Sequence, residues 1–248
     1  MSIFNRFFNK KEPISPVSIS QLQCDFHSHL IPGIDDGVKE LQEAVDILGC
    51  YAQMGFQKVI TTPHIMCDFY RNTPDIIWGG LQKVREELKE QGIKLTLEAA
   101  AEYYVDFDFE QKIETEKLLT FGDNYVLIEI SYLNEPENLN RVMFNLQIAG
   151  YKVILAHPER YPFWFGKKHV FETLVNNGIY LQMNMNSLTG MYSPEVKKQA
   201  EFLVNNQWIK FIGSDCHSMS QFEYFQQLDV NPFFMKLLES GKLLNATL

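Results

Sequence analysis

Residues 24–37 read CDFHSHLIPGIDDG, and this stretch concentrates side chains that bind metals or move protons. The sequence predicts a short strand over residues 22–26, and side chains two residues apart on a strand share one face. Asp25, His27 and His29 should therefore project together. Two imidazoles on one face can bind a divalent metal, and a carboxylate can orient such a ring by accepting its second N–H.

An isolated His-x-His pair is also compatible with two hydrogen-bonded residues of a core, so the rest of the chain has to decide between the two interpretations. Short apolar runs that predict strands alternate along the chain with amphipathic runs that predict helices. The predicted strands cover residues 22–26, 58–62, 93–100, 125–130, 152–156, 179–183 and 209–213. The predicted helices cover residues 40–54, 74–91, 109–118, 136–149, 170–177 and 194–205.

The alternation of seven strands with helices is typical of an α/β protein with a parallel sheet. His, Asp or Glu lies at or just beyond the C-terminal end of six of the seven strands. In a barrel those ends form one rim, whereas the alternative, an open doubly wound sheet, gathers fewer of them around one point. The sequence therefore favours a single barrel-like domain over residues 21–248, with an N-terminal tail over residues 1–20.

Composition and charge limit the class of protein. A chain of 248 residues with 46% hydrophobic residues can bury a large core. Its formal net charge of -9 disfavours a nucleic-acid partner, because nucleic-acid-binding domains usually present a basic face. No apolar run approaches the roughly 20 residues that cross a bilayer, so we expect no transmembrane segment.

The cysteines and the N-terminal residues indicate the compartment. The four cysteines form no CxxC pair, and the N-terminus lacks the apolar core and the cleavage site of a secretory signal. We therefore expect reduced thiols in a cytoplasmic protein. Residues 1–12 mix apolar and basic side chains, which suits a peripheral contact with a membrane surface or a partner, although a loosely packed tail is the simpler interpretation.

The candidate metal ligands lie near the predicted strand ends. They are His27, His29, Asp36, His64, Glu102, Glu129, His157, Asp215 and His217. Nitrogen and oxygen ligands without thiolate suit Zn, Mn or Fe, and nine ligands are too many for one ion. Asp35 is an alternative to Asp36 as a ligand, although it could instead cap the turn. Glu98 is an alternative to Glu102 as the ligand of the third strand, but Glu102 lies nearer the strand end and is favoured. His169 lies at a predicted helix start and is predicted to be an ordinary surface or capping residue.

Seven pieces of the sequence resemble, in order, the motifs of the PHP (polymerase and histidinol phosphatase) superfamily. Within it they resemble the bacterial protein-tyrosine phosphatases of capsule and exopolysaccharide synthesis. The pieces are DFHSH, DDG, TPH, AEYY, LIEIS, AHPERY and SDCH, spread over residues 24–217. The resemblance implies a distorted (β/α)7 TIM-like barrel that holds three divalent metal ions at the C-terminal rim, with Mn expected and Fe, Zn or Mg as alternatives.

Carried over by position, the resemblance also divides the ligands among three metals, with Glu102 bridging the first two. The three sets are His27, His29, Glu102 and Asp215; Glu102, Glu129 and His157; and Asp36, His64 and His217. Cys216 lies between two of these ligands, so strand alternation should turn its thiol away from the metals.

The activity that the resemblance implies is hydrolysis of phosphotyrosine by a metal-bridged hydroxide, with a bacterial tyrosine kinase as the expected protein substrate. Arg160 is implied as a phosphate contact, with a salt bridge to Glu159 or another surface acid as its alternative role. His217 or Asp36 is a candidate general acid. Relatives often carry a second arginine after the SDxH motif, but the segment here reads SMSQFEYF. Arg71 or a nearby lysine could replace that arginine.

Other functions stay open at this stage. A cysteine-dependent phosphatase needs a thiolate in a phosphate-binding loop, and none of the four cysteines opens a C-x5-R pattern. A PHP phosphoesterase for a small substrate such as histidinol phosphate would use the same ligands. A metal-stabilised scaffold that docks a capsule-assembly kinase without turnover is the non-enzymatic alternative.

Overall fold

The computed structural model describes residues 18–225 and 227–248, except for the Glu223 side chain. Most of the predicted N-terminal tail, and the predicted surface contact through residues 1–12, lie outside these residues. The described chain begins with a 3-10 helix over Ile19–Leu22, in which Ile19 and Leu22 are buried in the hydrophobic core. Ile19, which falls within the predicted tail, is therefore part of the folded domain.

The strands are short, and each neighbouring pair is parallel. They are β1 (Cys24–Phe26), β2 (Lys58–Thr61), β3 (His64–Ile65), β4 (Thr96–Ala99), β5 (Glu102–Tyr104), β6 (Tyr125–Glu129), β7 (Lys152–Leu155), β8 (Tyr180–Asn184) and β9 (Ile209–Gly213). One sheet has the order β1-β2-β4 and the other has the order β3-β5-β6-β7-β8-β9.

Two of the seven predicted strands are interrupted, which is why nine segments occupy seven positions. Pro63, which has no N–H to donate, separates β2 from β3. Backbone hydrogen bonds cross both interruptions, from Ala100 N to Thr61 O and from Glu102 N to Pro63 O. Strands β2 and β3 therefore form two parts of one bent strand that passes from the first sheet to the second. Strands β4 and β5 do the same.

At the other edges of the two sheets, the residues just after β1 are hydrogen-bonded to the residues just after β9. Asp215 N donates to His27 O over 2.8 Å, and His29 N donates to Cys216 O over 2.9 Å. Nearer the start of β1, the Asn245 side chain fills the gap, donating to Cys24 O and Ile212 O and accepting from Ile212 N. Seven strand positions thus form a ring, in agreement with the predicted distorted barrel.

The ring needs a glycine where β1 and β9 approach each other. A Cβ atom on Gly213 would lie 2.3 Å from Phe26 O, which is too close for any other residue without a shift of the backbone.

Helices connect the strands, as predicted, and pack on them through apolar faces. Those described are α1 (Leu41–Gln53), α2 (Pro74–Glu90), α3 (Phe107–Thr115), α4 (Leu139–Ile148), α5 (Lys168–Asn176), α6 (Pro194–Asn205), α7 (Phe222–Phe225) and α8 (Pro232–Glu239). Side chains of Thr73, Asp106 and Ser193 accept hydrogen bonds from the first turns of α2, α3 and α6. Among these helices none has both the length and the apolar character that a membrane crossing requires.

Strand alternation separates two hydrophobic clusters. On β6, Tyr125 and Leu127 belong to a small cluster inside the ring, whereas Val126 and Ile128 belong to the large cluster shared with the helices. Glu129 is the next residue on the inward face. The interior is therefore apolar at the N-terminal ends of the strands and becomes polar at their C-terminal ends.

Candidate metal centre

The C-terminal ends of the strands bring together all nine candidate ligands. Their ligand atoms form four overlapping groups, each with all its atoms within 4.8 Å of one another. The groups are His29, Asp36, His64 and His217; His27, His29 and Glu102; His27, His157 and Asp215; and His64, Glu102 and Glu129. Among the side chains that the structure describes within residues 18–225 and 227–248, which leave out Glu223, no other His, Cys, Asp or Glu joins a group of this kind.

Glu102 lies at the centre of the cluster and is completely buried. Its Oε1 is 3.1 Å from His27 Nε2 and its Oε2 is 3.2 Å from His64 Nδ1, yet all four atoms lack a hydrogen bond of acceptable geometry. His29 Nε2 is also buried without a partner. Buried polar atoms without partners are costly, and divalent cations would satisfy all of them at once. The donor set therefore fits bound metal.

Charge in the cluster is unbalanced without a cation. Burial opposes the ionisation of Glu102, but the imidazoles of His27 and His64 outweigh burial and hold the pKa of Glu102 well below its usual value. Burial raises the pKa of Glu129 well above its usual value, and the Glu102 carboxylate raises it further. A divalent cation would favour the charged form of both carboxylates.

Two side chains and one backbone carbonyl behind the ligands fix the orientation of three imidazoles. His27 Nδ1 donates to Gln182 Oε1 over 2.9 Å, and His29 Nδ1 donates to Asp35 Oδ2 over 2.8 Å. His217 Nδ1 donates to the carbonyl oxygen of Asp215 over 2.8 Å. Each bond leaves Nε2 of the ring directed at the ligand cluster, which is the arrangement found behind metal-bound histidines.

The prediction that Asp25 orients one of these rings is wrong. Its carboxylate instead accepts hydrogen bonds from the backbone N–H and the hydroxyl of Ser214. The cause is the backbone of His27, whose φ of 76° ends the strand alternation on which the prediction relied. Asp25 therefore ties β1 to β9 underneath the cluster.

The structure separates the roles of Asp35 and Asp36. Asp35 is buried behind His29 and also accepts from the N–H groups of Gly37 and His64. Asp36 is half exposed in the cleft, with Oδ1 3.5 Å from His64 Nε2 and 3.6 Å from His217 Nε2. Asp36 is thus the one placed among the ligand atoms.

Three residues of the cluster have a left-handed backbone, which is unusual for residues other than glycine. The φ angles are 76° for His27, 31° for His157 and 51° for Asp215. Such conformations cost on the order of 1–3 kcal/mol each and concentrate at functional sites. Each of these residues follows a strand end, so the conformation redirects its side chain from the sheet into the cluster.

Several competing residues lie away from the cluster. Glu98 is bound to Lys58 Nζ over 2.9 Å, outside the site. Cys216 is completely buried in the hydrophobic core, as predicted, and burial raises the pKa of its thiol. His169 is exposed in the first turn of α5, as predicted.

Arg160 reaches the cluster from the segment after β7. Its Nη1 donates to Asp215 Oδ2 over 2.7 Å, and its guanidinium lies 5.0 Å from the Tyr132 ring centre and 4.3 Å from the Tyr192 ring centre. A salt bridge to Glu159 is ruled out as its role, because Glu159 is buried and bound to Ser187 Oγ and to the backbone N–H of residue 184. The acidic partner is a candidate ligand instead.

Arg71 does not line the cleft. Its Nε donates to Cys67 O, and its side chain is exposed. The structure therefore gives no support to Arg71 as the replacement for a second phosphate-binding arginine.

Sequence reasoning missed the amides and phenols around the cluster. Gln182 and Asn184 lie on β8, where Gln182 Nε2 donates to Asn184 Oδ1 and Asn184 Nδ2 donates to Asp215 Oδ2. Their alternation in LQMNMN was a detectable signal, because polar residues at every second position of a buried strand share one face. Tyr132 and Tyr192 gave no comparable signal.

A cleft of about 560 Å³ opens above the cluster. Its floor includes Glu102, Glu129 and Asp215, and Arg160 lies in its wall. Apolar and aromatic side chains surround the mouth, and Phe69 and Leu133 are the most exposed of them. A cleft of this volume can accommodate an aromatic group beside the ligand cluster.

Comparison with known proteins assigns the family. Residues 23–223 match the family model described as capsular polysaccharide synthesis, CpsB/CapC. The chain belongs to the CpsB/CapC family. This finding confirms the resemblance to the phosphatases of capsule and exopolysaccharide synthesis.

Proteins with curated names resemble this chain over most of its length. Tyrosine-protein phosphatase YwqE of Bacillus subtilis is 26% identical, covering 82% of this chain and 80% of the relative. Tyrosine-protein phosphatase CpsB of Streptococcus pneumoniae is 27% identical, covering 82% of this chain and 86% of the relative. Putative tyrosine-protein phosphatase CapC of Staphylococcus aureus is 25% identical, covering 90% of this chain and 84% of the relative.

Solved structures show the same fold. One match comes from the crystal structures of YwqE and CpsB, described as unique metal-dependent tyrosine phosphatases. It has a TM-score of 0.76 at 24% identity and covers 89% of this chain and 93% of the other. The lactonase Lmo2620 from Listeria monocytogenes matches with a TM-score of 0.51 at 11% identity.

Proposed function

We propose that this protein is a metal-dependent protein-tyrosine phosphatase of the CpsB/CapC family, acting in capsular or exopolysaccharide synthesis. The observation that carries the proposal is a buried cluster of histidines and carboxylates with unpaired ligand atoms, placed at the floor of an open cleft beside one guanidinium. The tyrosine-phosphatase names of the curated relatives support the same reaction class.

Three divalent ions, with Mn as the first choice, are the proposed cofactors. One would be held by His27, His29, Glu102 and Asp215; a second by Glu102, Glu129 and His157; and a third by Asp36, His64 and His217. The overlap of the observed ligand groups at Glu102 supports its role as a shared ligand. When bound, such ions lower the pKa of a coordinated water and neutralise charge that develops on phosphoryl oxygens.

The chain's own residues supply orientation and proton transfer. Arg160 uses one N–H to bind Asp215, and its remaining N–H groups have no partner among the described residues, so they are free to bind phosphoryl oxygens. The rings of Tyr132 and Tyr192 hold the guanidinium between them. Asp36 and His217 lie at the cleft and are the candidate general acids, although a phenol leaving group with a pKa of about 10 needs little protonation.

Cysteine chemistry is disfavoured by the surroundings of the thiols. Cys24 and Cys216 are buried, and burial raises the pKa of both thiols. The pKa of Cys50 is raised to about 11 by burial. A thiol with a raised pKa is a poor nucleophile near neutral pH.

The physiological substrate is proposed to be a phosphotyrosine protein, with a bacterial tyrosine kinase as the expected partner, and the protein is proposed to act in the cytoplasm. The test is phosphate release by purified, metal-depleted protein after addition of Mn, with a phosphotyrosine peptide, a phosphoserine peptide and histidinol phosphate assayed in parallel. We expect turnover of the phosphotyrosine peptide to exceed turnover of the other two. Preferred hydrolysis of histidinol phosphate would make the protein a small-substrate phosphoesterase, and absence of turnover would favour a scaffold.

A further inference from the structure

Five apolar or aromatic side chains form a rim around one side of the cleft. This apolar rim consists of Met66, Phe69, Tyr70, Tyr104 and Leu133, all of which line the cleft. Phe69 is 74% exposed and Leu133 is 90% exposed. Exposed apolar side chains that adjoin one another at the mouth of a site mark a surface that contacts a ligand or partner.

Hydrogen bonds close the turn of the rim that carries Phe69. Met66 and Tyr70 exchange two backbone hydrogen bonds of 2.9 and 3.1 Å, which close a tight turn. Asp106 braces this turn by accepting from Cys67 N over 2.9 Å. The Tyr70 ring also lies parallel to the imidazole of His64, with 5.6 Å between ring centres. The backbone at Phe69 is therefore fixed by these bonds before any ligand arrives, which lowers the entropy cost of ordering the turn on binding.

The charge beside the rim is mainly negative. Asp68 and Asp108 are exposed, and Asp106 is partly exposed. Burial raises the pKa of the Cys67 thiol to about 11, and the charges of these three acids add to the rise. Arg71 is the single cation within residues 66–72, and its Nε is bound to Cys67 O. An acidic ligand would thus be repelled from this side of the cleft.

We propose that the apolar rim binds the residues flanking phosphotyrosine in the substrate, and that it selects peptide segments with apolar or basic rather than acidic flanks. This inference rests on the proposed phosphatase function. A phosphotyrosine side chain that reaches the cluster must bring its neighbouring residues against the mouth of the cleft. Phe69 and Leu133 supply apolar area there, and Asp68 and Asp108 disfavour acidic neighbours.

The experiment compares two phosphotyrosine peptides of equal length, one with Leu and Phe beside the phosphotyrosine and one with Glu and Asp. Both are assayed with Mn-loaded wild-type protein and with the double variant Phe69→Ser/Leu133→Ser. The small substrate p-nitrophenyl phosphate, which has no flanking residues, is assayed alongside. Binding of the same peptides carrying a phosphonomethyl-phenylalanine in place of phosphotyrosine is measured by fluorescence anisotropy.

We expect the wild-type protein to have a KM at least about tenfold lower for the apolar-flanked peptide, the scale of a few well-buried contacts. The double variant should raise that KM, and the dissociation constant of the phosphonate peptide, by about tenfold with kcat unchanged. The change in hydrolysis of p-nitrophenyl phosphate should be much smaller than the change for the peptides, because this substrate has no flanking residues. The matched control is Ile148→Ser/Val230→Ser, which removes apolar side chains that are 74% and 83% exposed away from the cleft.

Equal KM and dissociation constants for the two peptides would overturn the inference while leaving the phosphatase proposal intact. Absence of p-nitrophenyl phosphate hydrolysis by the wild-type protein would instead count against the phosphatase proposal. Binding of the phosphonate peptides would still test the rim in that case. Sedimentation of the wild-type protein and of the double variant tests the alternative that a second copy of this chain covers the rim. A dimer that dissociates in the variant would make the rim an interface between two copies and overturn peptide binding.

Discussion

At the scale of single residues, Glu102 contacts the largest share of the imidazoles. Its carboxylate oxygens lie 3.1, 3.5, 3.2 and 3.3 Å from ring nitrogens of His27, His29, His64 and His157. Loss of its charge would therefore weaken two of the proposed metal positions at once. Glu98, on β4 and four residues before Glu102, offers the same side chain in a partly exposed ion pair with Lys58.

We expect Glu102→Gln to lose metal and to lower kcat/KM by more than about 100-fold, beyond the usual effect of losing a residue behind the ligands. Glu98→Gln should keep both metal and efficiency, because its partly exposed ion pair with Lys58 lies outside the site and such pairs contribute little stability. Metal content by mass spectrometry and turnover of a phosphotyrosine peptide check the pair. Equal losses in the two variants would show that Glu102 is not a shared ligand.

Arg160 allows a second prediction. Arg160→Ala should retain metal and fold but lose phosphatase efficiency by about 1.5–3 kcal/mol, the value for a hydrogen bond to a charged group. Arg160→Lys should recover part of that loss, because an ammonium keeps the charge without the planar fork. Steady-state kinetics and metal content measure both. Near-normal efficiency of metal-loaded Arg160→Ala would remove Arg160 from phosphate binding.

Residue types that commonly bind metals were easy to recognise from the sequence, and the structure brings all nine together. Their assignment to individual metals remains a prediction. Gln182 was missed because an amide that orients a histidine is not itself a ligand type. The role predicted for Asp25 was wrong, because His27 has a positive φ, and the sequence does not predict that conformation for a histidine.

At the scale of elements, the loop between β1 and α1 holds two ligands in place through Asp35. One carboxylate oxygen accepts from Gly37 N, and the other accepts from His29 Nδ1 and His64 N. Asp35→Asn replaces one acceptor oxygen with a donor group, so it cannot keep all three bonds. We expect metal affinity to fall by about 10- to 100-fold.

The control for Asp35→Asn is Asp46→Asn, because the one side-chain donor to Asp46 among the described residues is Gln42 of the same helix. Titration of metal-free protein with Mn measures both affinities. A loss of affinity in Asp46→Asn as large as that in Asp35→Asn would mean that orientation of His29 is not the cause.

Helices and strands were predictable where an apolar period spans enough residues. The predicted helix over residues 194–205 and the predicted strand over residues 209–213 have the observed bounds of α6 and β9. The four residues of α7 are too few to show a helical period. Helix α8 did have a signal, because Asn231 caps it and Pro232 is its first residue.

At the scale of the whole molecule, the cluster joins the ends of six strand positions, so metal should stabilise the entire ring. We expect chelation to abolish phosphatase activity and to lower the melting temperature, because buried carboxylates lose their counter-charge and a ligand that binds the native state is removed. Addition of Mn should restore both. Activity that persists in protein shown to be free of metal would contradict the proposed function.

A fourth variant tests closure of the ring. Asn245→Ala removes three hydrogen bonds that link Cys24 and Ile212 and leaves buried backbone groups unpaired. We expect the free energy of unfolding to fall by about 1–3 kcal/mol for each group left unsatisfied. Asn205→Ala, at an exposed position on α6, should have little effect. Urea unfolding of both variants provides the comparison, and equal midpoints would show that Asn245 does not hold the ring together.

The junction between β1 and β9 also has a kinetic consequence. It joins Asp25 to Ser214, 189 residues apart, and Cys24 to Asn245, 221 residues apart. Contacts of such long sequence separation form late and slow the folding of a domain. Two of the four ligand groups include Asp215 or His217, so they do not exist until this junction has formed. Metal held by these two groups would therefore bind only after the ring has closed, where it slows unfolding without accelerating folding.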